Sequence, residues 1–338
     1  MTAPASAAAV RAAIAGFGNH PFMADSAGKP MVVALAPYVD VGLSAAERLR
    51  ELAGPAAAEA TAPLTSALGG SHSIAVFLGL PPARPGRPKD LGAVADRVQA
   101  DVALAGLQPA KASVIETGHA AGAMAVQAAW DTIRTGNADF ALAGGVDSYM
   151  EPETLEWLEA NEQIHAAGLE NNVYGFVPGE AGAFVLLASA PAAQRYKLPA
   201  VVDLVTAAAT RETKLIKTDT VCTGEGLTAL FRALAGEPAS VRADHLYCDM
   251  NGEPYRADEF GFATIRAGGL FRDPSAFTAP ADSWGDVGAA SGPLFLVLAD
   301  AASRKRYAAG PVLAGFTSSE SGERCGFVAR NRAAQEVR

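Results

Sequence analysis

Cysteine, basic charge and long apolar runs are all scarce in this sequence, and each scarcity closes off a class of function. Three cysteines in 338 residues, Cys222, Cys248 and Cys325, stand far apart with no C-x-x-C spacing. Neither a disulfide framework nor a zinc knuckle is expected, and reduced thiols fit a reducing, cytoplasmic setting. Twenty-seven Lys and Arg against 36 Asp and Glu leave a net charge of −9 with no basic block. A nucleic acid or an anionic membrane surface is therefore not expected as the main partner. Nowhere do 18 apolar residues follow one another, so no membrane span is expected. Met1 to Gly18 is Ala-rich with Arg11 as its single basic residue and no Leu/Val/Phe run, unlike the layout of a secretory signal.

What is present is core material: half the residues are apolar, 19% are charged, and about a fifth are alanine, which suits close helix packing. Leu80 to Lys89, with four prolines and a glycine, reads as a linker-like surface loop. A second break, Ala188 to Pro199, separates two apolar runs and places a boundary near the middle, between residues 1–190 and 191–338. Strand and helix patterns alternate on both sides of it. The expected order is Ile74–Leu78, a helix from Leu91 to Ala105, Ala112–Ile115, a helix from Ala120 to Arg134 and Phe140–Ala143. It continues with Val201–Val205, a helix over Gly226–Ala235, His245–Cys248 and a strand at Leu294–Leu298. Such alternation predicts an α/β fold with buried, mostly parallel strands. Gly179 to Gly182 before AFVLLA echoes Gly288 to Gly292 before PLFLVLA, which suggests two related halves. Gly144 and Gly145 read as a tight turn, and the stretch Met150 to Ile164 as an amphipathic helix with Leu155 and Leu158 inward.

The stretch from Val114 to Val126 reads as a buried strand entering a helix through a turn eased by Gly118, with His119 at the elbow. A turn of this kind presents one side chain at a helix N-terminus, where free N–H groups and the helix dipole favour negative charge. These residues resemble the β-ketoacyl synthases and thiolase-like proteins, whose elbow runs Thr-Ala-Cys-Ala-x-Gly-Ala and is followed by Asp-x-Ala-Leu-Ala-Gly-Gly. Here Thr117-Gly-His-Ala-Ala-Gly-Ala123 is followed by Asp139-Phe-Ala-Leu-Ala-Gly-Gly145, and Gly175-Phe-Val-Pro-Gly-Glu-Ala-Gly182 is similar to a further family segment. Collinear matches extend through Asp249-Met-Asn-Gly-Glu-Pro254, similar to His-Gly-Thr-x-Thr-Pro, and Gly285-Asp-Val-Gly-Ala-Ala-Ser-Gly292, similar to Gly-His-x-x-Gly-Ala-Ala-Gly. The last match requires a one-residue gap. The resemblance implies a thiolase-like, five-layered αβαβα fold of two similar halves. It also implies a homodimer, or a heterodimer with a related ketosynthase-like chain, paired through the strand Ala112–Ile115. At 338 residues the chain is shorter than the roughly 400 of usual condensing enzymes, a loss expected in the N-terminal cap, residues 1–65.

The departures carry the functional reading. A condensing enzyme of this kind holds the acyl chain on a Cys thiolate and stabilises the enolate with two His residues. At the three matching positions this chain has His119, Asp249 and Asp286, and the usual lysine upstream of the second His has no counterpart near Asp282 to Trp284. An acyl-imidazole hydrolyses readily, and two carboxylates repel a developing enolate, so ordinary condensation is not expected. Cys222 and Cys248 read as packed thiols, and the resemblance implies that Glu180 braces the fold through hydrogen bonds. His119, Asp249 and Asp286 are expected to converge as a hydrogen-bonded remnant of a catalytic site. The alternatives are His119 as a base or nucleophile, or an open metal site made by the three. No cofactor or metal is expected. The resulting expectation is a non-condensing scaffold, adaptor or partner subunit, like the nucleophile-lacking partners of active ketosynthases or the ketosynthase-like proteins encoded beside secretion effectors. A protein client, an acyl chain or an acyl carrier protein would be its further partner. The other class is an acyl-transferring, hydrolysing or decarboxylating enzyme that uses His119.

Overall fold

A computed structural model describes residues 2–67, 72–236 and 241–332. The chain opens with α1 (Ala3–Arg11), the hairpin of β1 (Gly18–Ala24) and β2 (Pro30–Val33), and the long helix α2 (Ala45–Ala67). Then follow β3 (Ser73–Gly79), α3 (Gly92–Leu104), β4 (Gln108–Pro109), β5 (Ser113–Ile115), α4 (His119–Arg134), β6 (Phe140–Ser148), α5 (Pro152–Ala160) and β7 (Glu180–Ala188). In the first sheet β3 runs parallel to β4, β5 and β6, and β6 pairs antiparallel with β7. All nine residues of β6 are buried, which is why Phe140 to Val146 form a continuous apolar run without alternation.

After α6 (Ala190–Arg195) come β8 (Val202–Arg211), α7 (Glu225–Ala235), β9 (His245–Cys248), α8 (Pro254–Ala267), β10 (Phe277–Thr278) and α9 (Ala281–Trp284). The chain continues through α10 (Ser291–Arg304), β11 (Val312–Ser318) and β12 (Glu323–Asn331). The second sheet has the order β10-β9-β11-β12-β8, with β9 parallel to β10 and β11, and β12 antiparallel to both β11 and β8. Its β9, β11 and β12 repeat the arrangement of β3, β6 and β7, each set with a buried helix, α10 or α4, before the middle strand. The two sheets differ at this edge: β8 covers the outer edge of β12, whereas β6 is the only strand paired with β7 among the described residues.

Five layers result. Helices α2 and α3 cover the outer face of the first sheet, α4 and α10 lie against each other between the sheets, and α7 and α8 cover the second. The cores follow these layers: Leu52, Leu78 and Leu142 in the first, Val126, Phe295 and Phe327 in the middle, and Leu230, Phe231 and Phe316 in the last.

Three sequence readings are corrected. Leu294–Leu298 belongs to helix α10, not to a strand, so its echo of the β7 sequence does not mark equivalent elements. A helix wedged between two sheets is apolar on every side, and an apolar run of that length does not distinguish it from a buried strand. Gly144 and Gly145 form no turn; both lie within β6, where a Cβ on Gly145 would come 2.0 Å from the Ala289 carbonyl oxygen. Finally, Leu80–Lys89 links no domains: it leads from β3 to α3 and sends Arg84 inward to Asp147 (2.6 Å).

Candidate functional site

His119 is the first residue of α4. Gly118 before it adopts a φ of +77°, and a Cβ there would lie 3.0 Å from the Pro82 ring, so the elbow demands glycine for both conformation and space. Within the helix, a Cβ on Gly122 would come 2.1 Å from the Ala289 carbonyl oxygen, which shows how closely α4 approaches the loop carrying Asp286. The Ala120 N–H at the helix start donates to Ser319 Oγ (2.8 Å).

His119 Nε2 lies 2.9 and 2.8 Å from the two oxygens of Asp286. Asp286 also accepts from the Gly288 N–H (2.8 Å) and from Asn251 Nδ2 (2.6 Å). Arg256 extends from the first turn of α8 into the same place: Nη2 stands 3.2 Å from His119 Nε2, while Nη1 donates to Asp249 Oδ2 (2.9 Å) and the Ser318 carbonyl (3.1 Å). Asp249, just after β9, further accepts from the Ser318 N–H (2.7 Å). His119, Asp249 and Asp286 are 8%, 7% and 3% exposed, so this network is closed almost entirely to water.

A single ring nitrogen cannot donate to Asp286 and accept from Arg256 at once. The carboxylate contact is shorter and charge-assisted, so Nε2–H donates to Asp286, and Arg256 stands beside it as the counter-charge to Asp249. Burial disfavours the imidazolium and Arg256 opposes it as well, but the Asp286 charge, its hydrogen bond to His119 and the Asp249 charge together raise the His119 pKa above its ordinary value. Burial likewise works against the Asp286 carboxylate, yet His119 and Arg256 hold it well below the usual carboxylate range.

The structure thus brings the three sequence-derived residues into one network, with Arg256 as the bridge between His119 and Asp249. Sequence reasoning missed Arg256, Asn251 and Glu253. Glu253 pairs with Lys217 (2.9 Å) and accepts from Asn251 Nδ2 (3.1 Å) and Tyr255 Oη (2.9 Å). The signal lay in the loop already singled out, since polar Asn251, Glu253 and Arg256 follow Asp249 at short spacing into a helix start.

The arrangement offers no acyl-accepting thiol at the elbow. Cys325, on β12, packs against Ala120 and Ala123 with its thiol pushed far up by burial, and burial does the same to Cys248. Nor does it suit a metal, because the Arg256 guanidinium already supplies the positive charge between His119 and Asp249. Elsewhere Glu212, Cys222 and Glu259 bring ligand atoms within 4.8 Å of one another. Glu259, however, is paired with Arg324 (2.6 Å), and Glu212 accepts from the N–H groups of Thr213, Lys214 and Gly226. Glu180 is a brace: it takes Arg48 Nη1 (3.0 Å), the Ala36 N–H (2.9 Å) and Ser148 Oγ (2.9 Å).

Residues 93–193 match the N-terminal domain of the β-ketoacyl synthases. None of the curated proteins matches the sequence. Among solved structures, the chain is similar to one named as a type II polyketide synthase acyl-carrier protein in complex with its ketosynthase bound to the hexaketide. That match has a TM-score of 0.74 and 16% identity, covering 95% of this chain and 93% of that one. The ishigamide ketosynthase/chain length factor matches with a TM-score of 0.71 and 18% identity over 97% of this chain and 95% of the other. A ketosynthase from module 6 of the bacillaene synthase of Bacillus subtilis 168 matches at 0.71 and 12%, over 95% and 68%. What is shared at such identities is the fold, and that fold is the thiolase-like fold of the ketosynthases.

Proposed function

Starting from a ketosynthase fold with His119 at its elbow, we propose that this chain is a non-condensing, ketosynthase-like subunit: a scaffold or partner for a related chain. The observation that carries the reading is the side chain at the elbow. Where a condensing enzyme needs a thiolate, His119 is held by Asp286 on one nitrogen, with Arg256 and Asp249 closing the network around it. An enolate formed there would meet Asp286 and Asp249 where two neutral donors are needed, and the one guanidinium beside them, Arg256, is already committed to Asp249 and the Ser318 carbonyl.

Pairing is assigned to β5. This strand is hydrogen-bonded to β3 and leaves Ser113 and Val114 exposed on a short edge immediately before the elbow, so a partner strand added there would carry the two elbows together. Docking of an acidic carrier protein by Arg211, Lys214 and Lys217 is not supported, since each is already paired, with Glu323, Glu225 and Glu253 respectively. No helix among the described residues is long and apolar enough to cross a membrane.

The test is intact mass after incubation with acyl-CoA and acyl-carrier donors, run beside a malonyl-dependent extension assay and a pull-down from the native host. The expected results are an unmodified mass, no extension and recovery of a ketosynthase-like partner or a second copy. An acyl adduct on His119, or thioester hydrolysis or decarboxylation lost in His119→Ala, would overturn the reading in favour of an enzyme that uses the same pocket.

A further inference from the structure

Between Arg134 and Arg195 the chain carries nine Asp and Glu and no Lys or Arg. Three of the nine have partners: Asp147 and Glu180 pair with Arg84 and Arg48, and Asp139 accepts from Ser189 Oγ (2.8 Å). The other six, Glu151, Glu153, Glu156, Glu159, Glu162 and Glu170, lie on or beside α5 and in the loop after it, and none forms an ion pair among the described residues. The same loop exposes three large apolar side chains, Leu169 at 85%, Val173 at 60% and Tyr174 at 66%. Single exposed apolar residues are ordinary on a protein surface, but three within six positions are not. They stand among the glutamates: Asn172 Nδ2 donates to the Glu162 carbonyl (2.6 Å), the Tyr174 N–H donates to Asn172 Oδ1 (2.9 Å), and a Cβ on Gly168 would lie 3.8 Å from Glu159 Oε1.

We propose that this face, the outer side of α5 with the loop of residues 165–174, docks a basic segment of another polypeptide. That segment sets aliphatic or aromatic side chains on Leu169, Val173 and Tyr174 and places Lys or Arg among the glutamates. The apolar contacts supply burial, and the one-signed charge supplies selection and register. An Arg in the segment gains further by stacking on the exposed Tyr174 ring. The only basic side chain of this face itself is His165. The cations that border it are already answered, Lys29 by Asp25, and Lys217 by Glu253 (2.9 Å) and Glu320 (2.5 Å). The acidic charge of the face is therefore left for a partner to neutralise.

Charge also disfavours the other occupants. A second copy related by a two-fold axis would set this acidic face against itself. Nucleic acid and anionic membrane surfaces are repelled by it. A divalent cation needs carboxylates drawn together, whereas these are spread over the face, and the one group among the described residues with ligand atoms within 4.8 Å of one another is Glu212, Cys222 and Glu259, elsewhere in the fold. The inference stands on residues other than β5 and the elbow, so neither an acyl-loading result nor a failure of pairing through β5 touches it.

The probe is a synthetic amphipathic peptide of Lys and Leu, about four helical turns long, titrated into the full chain at low salt. It should protect the amides of residues 165–174 from hydrogen exchange by about tenfold or more, and its affinity should fall as salt is raised. Glu156→Gln, Glu162→Gln and Glu170→Gln combined should weaken binding about tenfold or more, and so should Leu169→Ser with Tyr174→Ser. All five side chains are exposed, so both variants should keep the wild-type melting temperature. Asp96→Asn, Asp219→Asn and Asp258→Asn together remove the same charge from exposed positions on other elements and should leave the affinity within about twofold. No binding at about 1 mM peptide, equal weakening by the two charge variants, or protection confined to another part of the chain would overturn the proposal. A dimer lost in the Leu169 and Tyr174 variant, with no peptide bound by the wild type, would also overturn it and give the face to a second copy.

Discussion

His119 and Asp286 form a coupled pair whose contribution to stability has a definite pH window. The His119 pKa is raised, so its contribution is complete below the unfolded value of about 6.5 and is lost as pH rises through the folded one. Asp286 is depressed, so its contribution is present above the unfolded value of about 3.9 and is lost as pH falls through the folded one. Thermal melts of wild type and His119→Gln should therefore differ most between about pH 4 and 6.5, and the difference should shrink towards pH 9. In that window the variant should lose about 1 to 3 kcal/mol, through lost hydrogen bonds to a buried carboxylate. If the elbow is only a remnant, partner binding should survive the substitution; loss of function with folding intact would mark a used site. A larger loss is expected at the fully buried Arg48–Glu180 pair, 3.0 Å apart, which ties α2 to the start of β7. Glu180→Ala leaves a buried guanidinium without its carboxylate and should cost about 3 to 5 kcal/mol, measured by denaturant unfolding. That Glu180 braces rather than reacts was implied by the family resemblance of the segment Gly175 to Gly182. That Arg48 would be its partner was not, since 132 residues separate them.

At the scale of elements, the short edge of β5 predicts a dimer, with light scattering reporting twice the chain mass or a complex with a related chain. A monodisperse monomer at micromolar concentration would remove the homodimer. The glycines of the middle layer make a second test. Gly122 of α4 approaches the Ala289 carbonyl so closely that a Cβ would stand 2.1 Å away, against backbone that cannot yield cheaply. Gly122→Val should destabilise the chain by more than the roughly 1 to 3 kcal/mol typical of an overpacked core and should reduce soluble yield. Element types were largely readable, because α3 buries Val94, Val98 and Val102 on one stripe and α5 buries Leu155 and Leu158, as helical spacing requires. The failures came where periodicity loses its meaning. Helix α10 is enclosed by both sheets, so its apolar run shows no polar face, and Gly144 and Gly145 sit in a strand for reasons of packing instead of turning.

For the whole molecule, purified protein should show no malonyl-dependent chain extension, and mass spectrometry should find no acyl adduct. Robust extension abolished by His119→Ala would reverse that. Much of this was present in the sequence by itself. The alternation of strands and helices and the elbow between Gly118 and Ala120 are local features, carried by residue type and short spacing, while the missing thiol there and the carboxylates Asp249 and Asp286 were read from the family resemblance. The tertiary structure decided the rest. Arg256 joins His119 to Asp249, Asn251 and His119 meet on Asp286, and β8 closes the outer edge of β12 while β6 is the only strand paired with β7 among the described residues. Long-range electrostatic pairing and sheet closure depend on which segments the fold brings side by side, and no local pattern in the chain encodes that neighbourhood.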